Sequence, residues 1–105
     1  MKTQPEVQRL VQLIDYQAGG IVSRSLLKKE SGSVTLFAFA AGEKLSEHTA
    51  PYDALVQVLE GEAEIVVGKT PFVVKAGEML HLPADVPHAV QARSNFKMVL
   101  TMLRA

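Results

Sequence analysis

The sequence predicts an all-β protein, an antiparallel sandwich or barrel, preceded by a short N-terminal helix. Three observations support this fold class. The chain has 105 residues, which is the size of one domain. Hydrophobic residues make up 48% of it and charged residues 21%, as in compact globular proteins. After Gly19 and Gly20, short apolar or β-branched runs alternate with turn residues, and this spacing is typical of antiparallel β-structure.

The N-terminal segment, residues 1–20, is predicted to hold a short helix and to lead into a single domain that covers residues 21–105. The helix is expected to begin at Pro5, a residue that suits the first helical position. Its apolar residues recur at spacings of three and four, which places them on one side of a helix. They are Val7, Leu10, Val11 and Ile14.

The remaining chain is predicted to form short strands. Each run is β-branched or aromatic in part, and glycine, proline or serine turns separate the runs. The predicted strands are residues 21–28, 34–40, 54–59, 63–67, 72–74, 79–82, 88–92 and 98–103.

Two of these strands, residues 36–40 and 98–103, are apolar on both faces. One face belongs to the core, and the other needs a cover other than water. A partner subunit would supply it, so the sequence predicts a homodimer. The alternative is that the N-terminal helix of the same chain covers one of these strands.

Charge and composition exclude several classes of protein. Eleven Lys and Arg residues balance eleven Asp and Glu residues, so the chain lacks the basic field that binding to nucleic acid or an anionic membrane requires. No apolar run approaches the roughly 20 residues needed to span a bilayer, and the N-terminus does not resemble a signal peptide. The predicted location is therefore cytoplasmic. The chain has no cysteine, so it has no disulfide and no thiolate metal ligand.

Two segments resemble the sequence motifs of the cupin family. Residues 42–61 resemble the first motif, in which a glycine precedes a His-x-His, a glutamate and a second glycine. Residues 77–88 resemble the second motif, which runs from glycine through Pro-x-Gly to histidine. The resemblance implies a jelly-roll barrel, also called a double-stranded β-helix, which is usually dimeric. Asp85 replaces the second-motif glycine, and we expect it to adopt the left-handed backbone of a tight turn.

The resemblance also implies where a metal site would lie. In the family, three histidines and one glutamate project into the barrel. His48 and His88 occupy the first and last histidine positions, whereas Ala50 and Ala54 occupy the other two. Alanine offers no lone pair, so the usual four-ligand site for Zn, Fe, Ni or Mn is incomplete.

Other residues are candidates for completing the site. His81 is a possible third metal ligand, although Leu80 and Leu82 alternate with it and form the more natural inward pair. Tyr52 lies after Pro51 near the expected barrel mouth, where its phenol can donate to a ligand. The predicted pocket wall is apolar and comprises Ala50, Ala54, Val56, Val58, Val90, either Phe37 or Phe39, Met98, Leu100 and Met102.

The sequence leaves several functions open. The first is a binding protein whose small-molecule ligand enters the apolar barrel and meets His48, Tyr52, His88 and Met102. The alternative is a metal-dependent enzyme of the dioxygenase, isomerase or decarboxylase type that uses His48, His88 and a third ligand such as His81. The two histidines could also simply bond each other or a water in a barrel without chemistry. A dimeric sensory or scaffold unit ranks last, because no helix-turn-helix pattern accompanies the strands.

Overall fold

The computed structural model describes residues 5–104, which form two antiparallel sheets packed face to face. The strands of this part of the chain are β1 (Ile21–Lys29), β2 (Gly32–Phe39), β3 (Lys44–His48), β4 (Asp53–Glu60), β5 (Glu62–Val67), β6 (Thr70–Lys75), β7 (Met79–Leu82), β8 (His88–Ala92) and β9 (Phe96–Leu103). One sheet has the order β1-β2-β9-β4-β7 and the other the order β3-β8-β5-β6. The last strand therefore lies between β2 and β4. This arrangement confirms the predicted all-β jelly roll.

All eight predicted strands are present, but β3 was not predicted as a strand. Of its five residues, Leu45 alone packs against the core, and the other four are exposed. A strand at the edge of a sheet can carry mostly polar residues because only one of its sides is paired. The apolar runs that reveal the other strands are therefore missing here.

The helix predicted to begin at Pro5 is reduced to a 3-10 turn, Leu10–Gln12. Arg9, which precedes this turn, has an extended backbone and no side-chain cap. Val7 is fully exposed and Ile14 is buried, so the predicted apolar stripe does not face one surface. Residues 9–16, which we call the N-terminal strap, instead follow the outside of the five-stranded sheet. No helix within residues 5–104 is long and apolar enough to cross a membrane.

The main core lies between the two sheets, and Phe39 stacks on Phe96 within it at a ring-centroid distance of 4.6 Å. A second buried cluster lies on the outer face of the five-stranded sheet. There Ile14 of the strap packs with Leu36, Ala38 and Val99. The same chain thus covers these positions, which was the alternative to a partner subunit. The homodimer stays a prediction.

One turn joins the two motif segments. Asp85 has a φ of 65°, the left-handed backbone expected when it replaces a glycine. Its backbone N–H donates to the carbonyl of Ala50 at 2.9 Å. This hydrogen bond ties the loop before β8 to the loop after β3, and it brings the two ends of those strands together.

Candidate functional site

His48 and His88 lie opposite each other on two neighbouring strands. β3 and β8 are antiparallel, and the two histidines are partners in their register. Their ring centroids are 4.3 Å apart with an interplanar angle of 69°. Leu45 and His48 are three positions apart on β3, so in a regular strand their side chains would lie on opposite faces. The register shift between them lets both side chains reach the same cavity. The structure therefore brings together the two histidines that the motifs singled out.

The backbone fixes the orientation of each imidazole in the same way. Nδ1 of His48 lies 3.0 Å from the carbonyl oxygen of Ser46, and Nδ1 of His88 lies 3.3 Å from that of Val86. A carbonyl oxygen can only accept, so Nδ1 of each ring must donate and carry the hydrogen. In a neutral imidazole the other nitrogen then holds a lone pair. Each ring therefore presents Nε2 as an acceptor.

The environment keeps His88 neutral. Burial lowers the pKa of His88 below its ordinary value, and the neighbouring His48 lowers it further. The hydrogen bond to the Val86 carbonyl acts in the opposite direction but is the smallest of the three effects. At neutral pH this ring is a hydrogen-bond acceptor and not a cation.

The two histidines lie beside a cavity of about 110 Å³ inside the barrel. Apart from the histidines, its wall is entirely apolar, formed by Phe37, Leu45, Val56, Leu82, Val90, Met98 and Leu100. Of the two phenylalanines considered, Phe37 lines the cavity, because Phe39 is engaged with Phe96 deeper in the core.

Two wall residues, Leu45 and Leu82, were missing from the predicted wall. The alternation of Leu80 and Leu82 around His81 was a usable signal for Leu82. No sequence signal marked the bulge between Leu45 and His48, which lets both side chains reach the cavity.

Several residues of the predicted wall or site lie elsewhere. Ala54 and Val58 belong to the core but do not line this cavity, and neither does Ala50. Tyr52 packs under the guanidinium of Arg104, whose Cζ is 4.7 Å from the ring centroid. Met102 lines a separate shallow groove. The expectation that Tyr52 and Met102 border the histidine cavity is therefore corrected: each sits at the end of a strand, beyond its wall.

His81 lies on the outer face of the five-stranded sheet and not in the barrel. Its Nε2 is 2.8 Å from Oδ1 of Asp53, which also accepts the backbone N–H of Ala84. Both hydrogen bonds lower the pKa of Asp53, and the one from His81 has the larger effect. Leu80 and Leu82 point inward, as the alternation predicted. His81 is thus not a third ligand for a barrel metal.

The donor set does not fit the metal site that the motifs imply. Within residues 5–104, no group of three or more His, Cys, Asp or Glu side chains could hold a metal ion. Of the described histidines, only two line the cavity, each with Nε2 as its one free nitrogen, and alanines occupy the other two ligand positions. Two imidazoles bind a divalent ion far more weakly than four protein ligands do.

Comparisons with known proteins agree with the fold. A family model described as a cupin domain matches residues 35–104. A conserved protein of unknown function from Streptococcus pyogenes is 29% identical, with a TM-score of 0.93, over 99% of this chain and 91% of that chain. A cupin superfamily protein from Desulfitobacterium hafniense is 29% identical, with a TM-score of 0.92, over 98% and 94%. A cupin 2 conserved barrel domain protein from Leptotrichia buccalis is 45% identical, with a TM-score of 0.87, over 90% of this chain and 46% of that chain. The comparison with curated proteins gives no match.

Proposed function

The chain belongs to the cupin family, and from this premise we propose that it binds a small molecule in its barrel cavity, with His48 and His88 at the polar end of the ligand. One observation carries the proposal. The two rings meet beside an otherwise apolar cavity, and both turn an Nε2 lone pair away from their backbone partners. An apolar enclosure with a few convergent polar groups is the usual form of a small-molecule site.

The chemistry of the wall supports binding in preference to catalysis. Among the described residues, no carboxylate lines the cavity beside either histidine. Activation of a protein nucleophile needs that nucleophile beside a base, and the described wall holds no Ser, Thr, Cys, Tyr or Lys side chain. His48 and His88 can orient a ligand, but within residues 5–104 the wall gives them no nucleophile to activate.

The second candidate function is a metal-dependent enzyme of the dioxygenase, isomerase or decarboxylase type. Its support is the Nδ1–H bond of each ring to a carbonyl, which is how metal-binding histidines are commonly oriented. Metal analysis of the purified protein separates the two functions. We expect far less than one equivalent of Zn, Fe, Ni or Mn. Near-stoichiometric metal that disappears in His48→Ala and His88→Ala would contradict the binding proposal.

A paired substitution tests which cavity takes the ligand. We expect at least one neutral fragment of about six heavy atoms to shift the NMR signals of the wall residues His88 and Val90 saturably. Leu100→Phe fills the cavity and should weaken this binding at least tenfold. Leu55→Phe makes the same change on the outer face of β4 and should leave it unchanged. If Leu55→Phe abolishes binding and Leu100→Phe does not, the ligand site is the outer groove and the proposal is wrong.

Two further properties, the cytoplasmic location and the homodimer, stay predictions from the sequence.

A further inference from the structure

We propose that the barrel site selects a neutral hydroxyl-bearing molecule with a small apolar body, and that it rejects carboxylates and molecules whose only polar atom is a carbonyl. This inference rests on the proposed function, because it names the ligand class of the same cavity. It derives from the hydrogen positions on the two imidazoles.

Both rings can only accept at the nitrogen they offer to a ligand. The Nδ1–H of His48 donates to the carbonyl of Ser46, and the Nδ1–H of His88 donates to the carbonyl of Val86. The remaining Nε2 atoms therefore need a donor. A ligand hydroxyl donates its hydrogen to one ring, and a second hydroxyl or a bound water can serve the other ring.

A ligand that can only accept leaves these lone pairs without a partner. A ketone oxygen placed beside Nε2 of His88 sets two acceptors against each other, and a hydrogen bond left unmade at this partly buried ring is costly. A carboxylate is worse, because it also brings a charge. Within residues 5–104, no Lys or Arg lines the cavity to compensate for that charge.

The size of the cavity limits the apolar body. Its volume is about 110 Å³. A buried apolar cavity of about 150 Å³ accepts benzene, and one water occupies about 30 Å³ in the liquid. By this scaling the enclosed part of the ligand is a group of about four or five carbons, and anything larger must extend past His48, whose side chain is exposed.

His81 provides an internal contrast for the hydrogen positions. Its Nε2 faces a carboxylate oxygen of Asp53 at 2.8 Å, so Nε2 must donate there. We expect long-range ¹H–¹⁵N NMR spectra at pH 8 to show hydrogen on Nδ1 for His48 and His88 and on Nε2 for His81. Hydrogen on Nε2 of His48 or His88 in the free protein would overturn the inference.

Three probes of matched size test the ligand class directly. Cyclopentanol, cyclopentanone and cyclopentanecarboxylate share one ring and differ in their polar group. In NMR titrations of the full chain, we expect cyclopentanol to bind at least tenfold more tightly than cyclopentanone, and the carboxylate not to bind. Equal binding of the alcohol and the ketone would overturn the donor requirement while leaving the binding function intact. If none of the three binds, the proposed function fails together with the inference.

Substitution of a site histidine should relax this selectivity. In His88→Gln the side-chain amide can rotate to donate, so the preference for cyclopentanol over cyclopentanone should fall below about threefold. His48→Gln gives the same test if His88→Gln does not fold. His81→Gln makes the identical change on the outer face and should keep the wild-type preference. A preference that stays at its wild-type value in both site variants would contradict the assignment.

Discussion

Backbone carbonyls, rather than other side chains, decide what the histidines of this barrel can do. His48 and His88 each bond a carbonyl two residues earlier, whereas His81 bonds a carboxylate on a neighbouring strand. Histidine therefore offers a hydrogen-bond acceptor at the two positions inside the barrel, and it serves as a hydrogen-bond donor at the position outside the barrel. The local path of the chain before each histidine is thus part of the site.

The environment of His88 makes stability depend on pH. Burial, and then the nearby His48, hold the pKa of folded His88 below its ordinary value of 6.5. The unfolded chain therefore takes up a proton at this residue at a higher pH than the folded protein does. The contribution of His88 to stability is complete above about pH 6.5 and is lost as the pH falls through the lowered folded pKa.

Urea titrations at pH 8 and pH 5 check this sign. We expect the free energy of unfolding to fall between these pH values by more in the wild type than in His88→Leu. Among the described residues that line the cavity, His48 is the one titratable side chain besides His88, and the others are apolar. Equal losses in the two proteins would show that His88 does not titrate as its surroundings indicate.

At the scale of single residues, spacing predicted the two histidines but not their surroundings. The motif spacing identified His48 and His88, and alternation placed Leu82 inward. The bulge in β3 was not predictable, because it depends on pairing with a strand that lies some 40 positions later in the chain. Tyr52 was misplaced for a related reason. Its ring packs against Arg104, a contact between residues 52 positions apart that spacing does not reveal.

At the scale of elements, the N-terminal strap is held by a polar contact as well as by apolar packing. Lys97, which is 7% exposed, donates from Nζ to the carbonyl of Val11 at 2.5 Å. The hydroxyl of Tyr16 donates to Glu60 at 2.5 Å, and Glu60 also lies 3.7 Å from Lys97 Nζ. Burial, and then this carboxylate, raise the pKa of Tyr16. A buried lysine is tolerated here because the Val11 carbonyl of the strap and the Glu60 carboxylate of β4 are its partners.

The strap also explains why the predicted helix did not form. An isolated helix of this length is marginal in water, and it persists only when an apolar stripe is buried. The strap instead inserts Ile14 into the second cluster and uses a backbone carbonyl to bind Lys97. The strands were predicted correctly because β-branched residues pack well on the half-buried surface of a sheet, so that runs of them indicate strands. The helix pattern failed because the outer face of the sheet accepts an irregular segment equally well.

Truncation of Ile14 measures how much the strap contributes. Ile14 is 5% exposed and Val7, in the preceding segment, is 103% exposed. Ile14→Ala should lower the free energy of unfolding by about 2 kcal/mol, the lower end of the range for a buried large-to-small change. Val7→Ala should change it by less than about 0.5 kcal/mol. Urea unfolding of both variants checks the difference, and equal effects would mean that the strap does not cover the sheet in solution.

At the scale of the whole molecule, the outer face of the five-stranded sheet is only partly covered. The strap lies over Leu36, Ala38 and Val99. On the same face, Leu27, Met79 and Leu103 remain 54%, 56% and 57% exposed. The apolar surface that could form a subunit interface therefore lies not at the middle of β2 and β9 but at the end of β9 and on the two edge strands of the sheet, β1 and β7.

We propose that a second copy of the chain covers this remaining surface. Light scattering at micromolar concentration should give a mass of about twice the 11.4 kDa of one chain. Leu103→Glu should convert the dimer to a monomer, because a carboxylate would be buried in an apolar interface without a partner. Val73→Glu is the matched control on the other sheet, where Val73 is 43% exposed, and it should remain dimeric. A wild-type mass near that of one chain would contradict the dimer, and dissociation by Val73→Glu alone would place the interface on the four-stranded sheet.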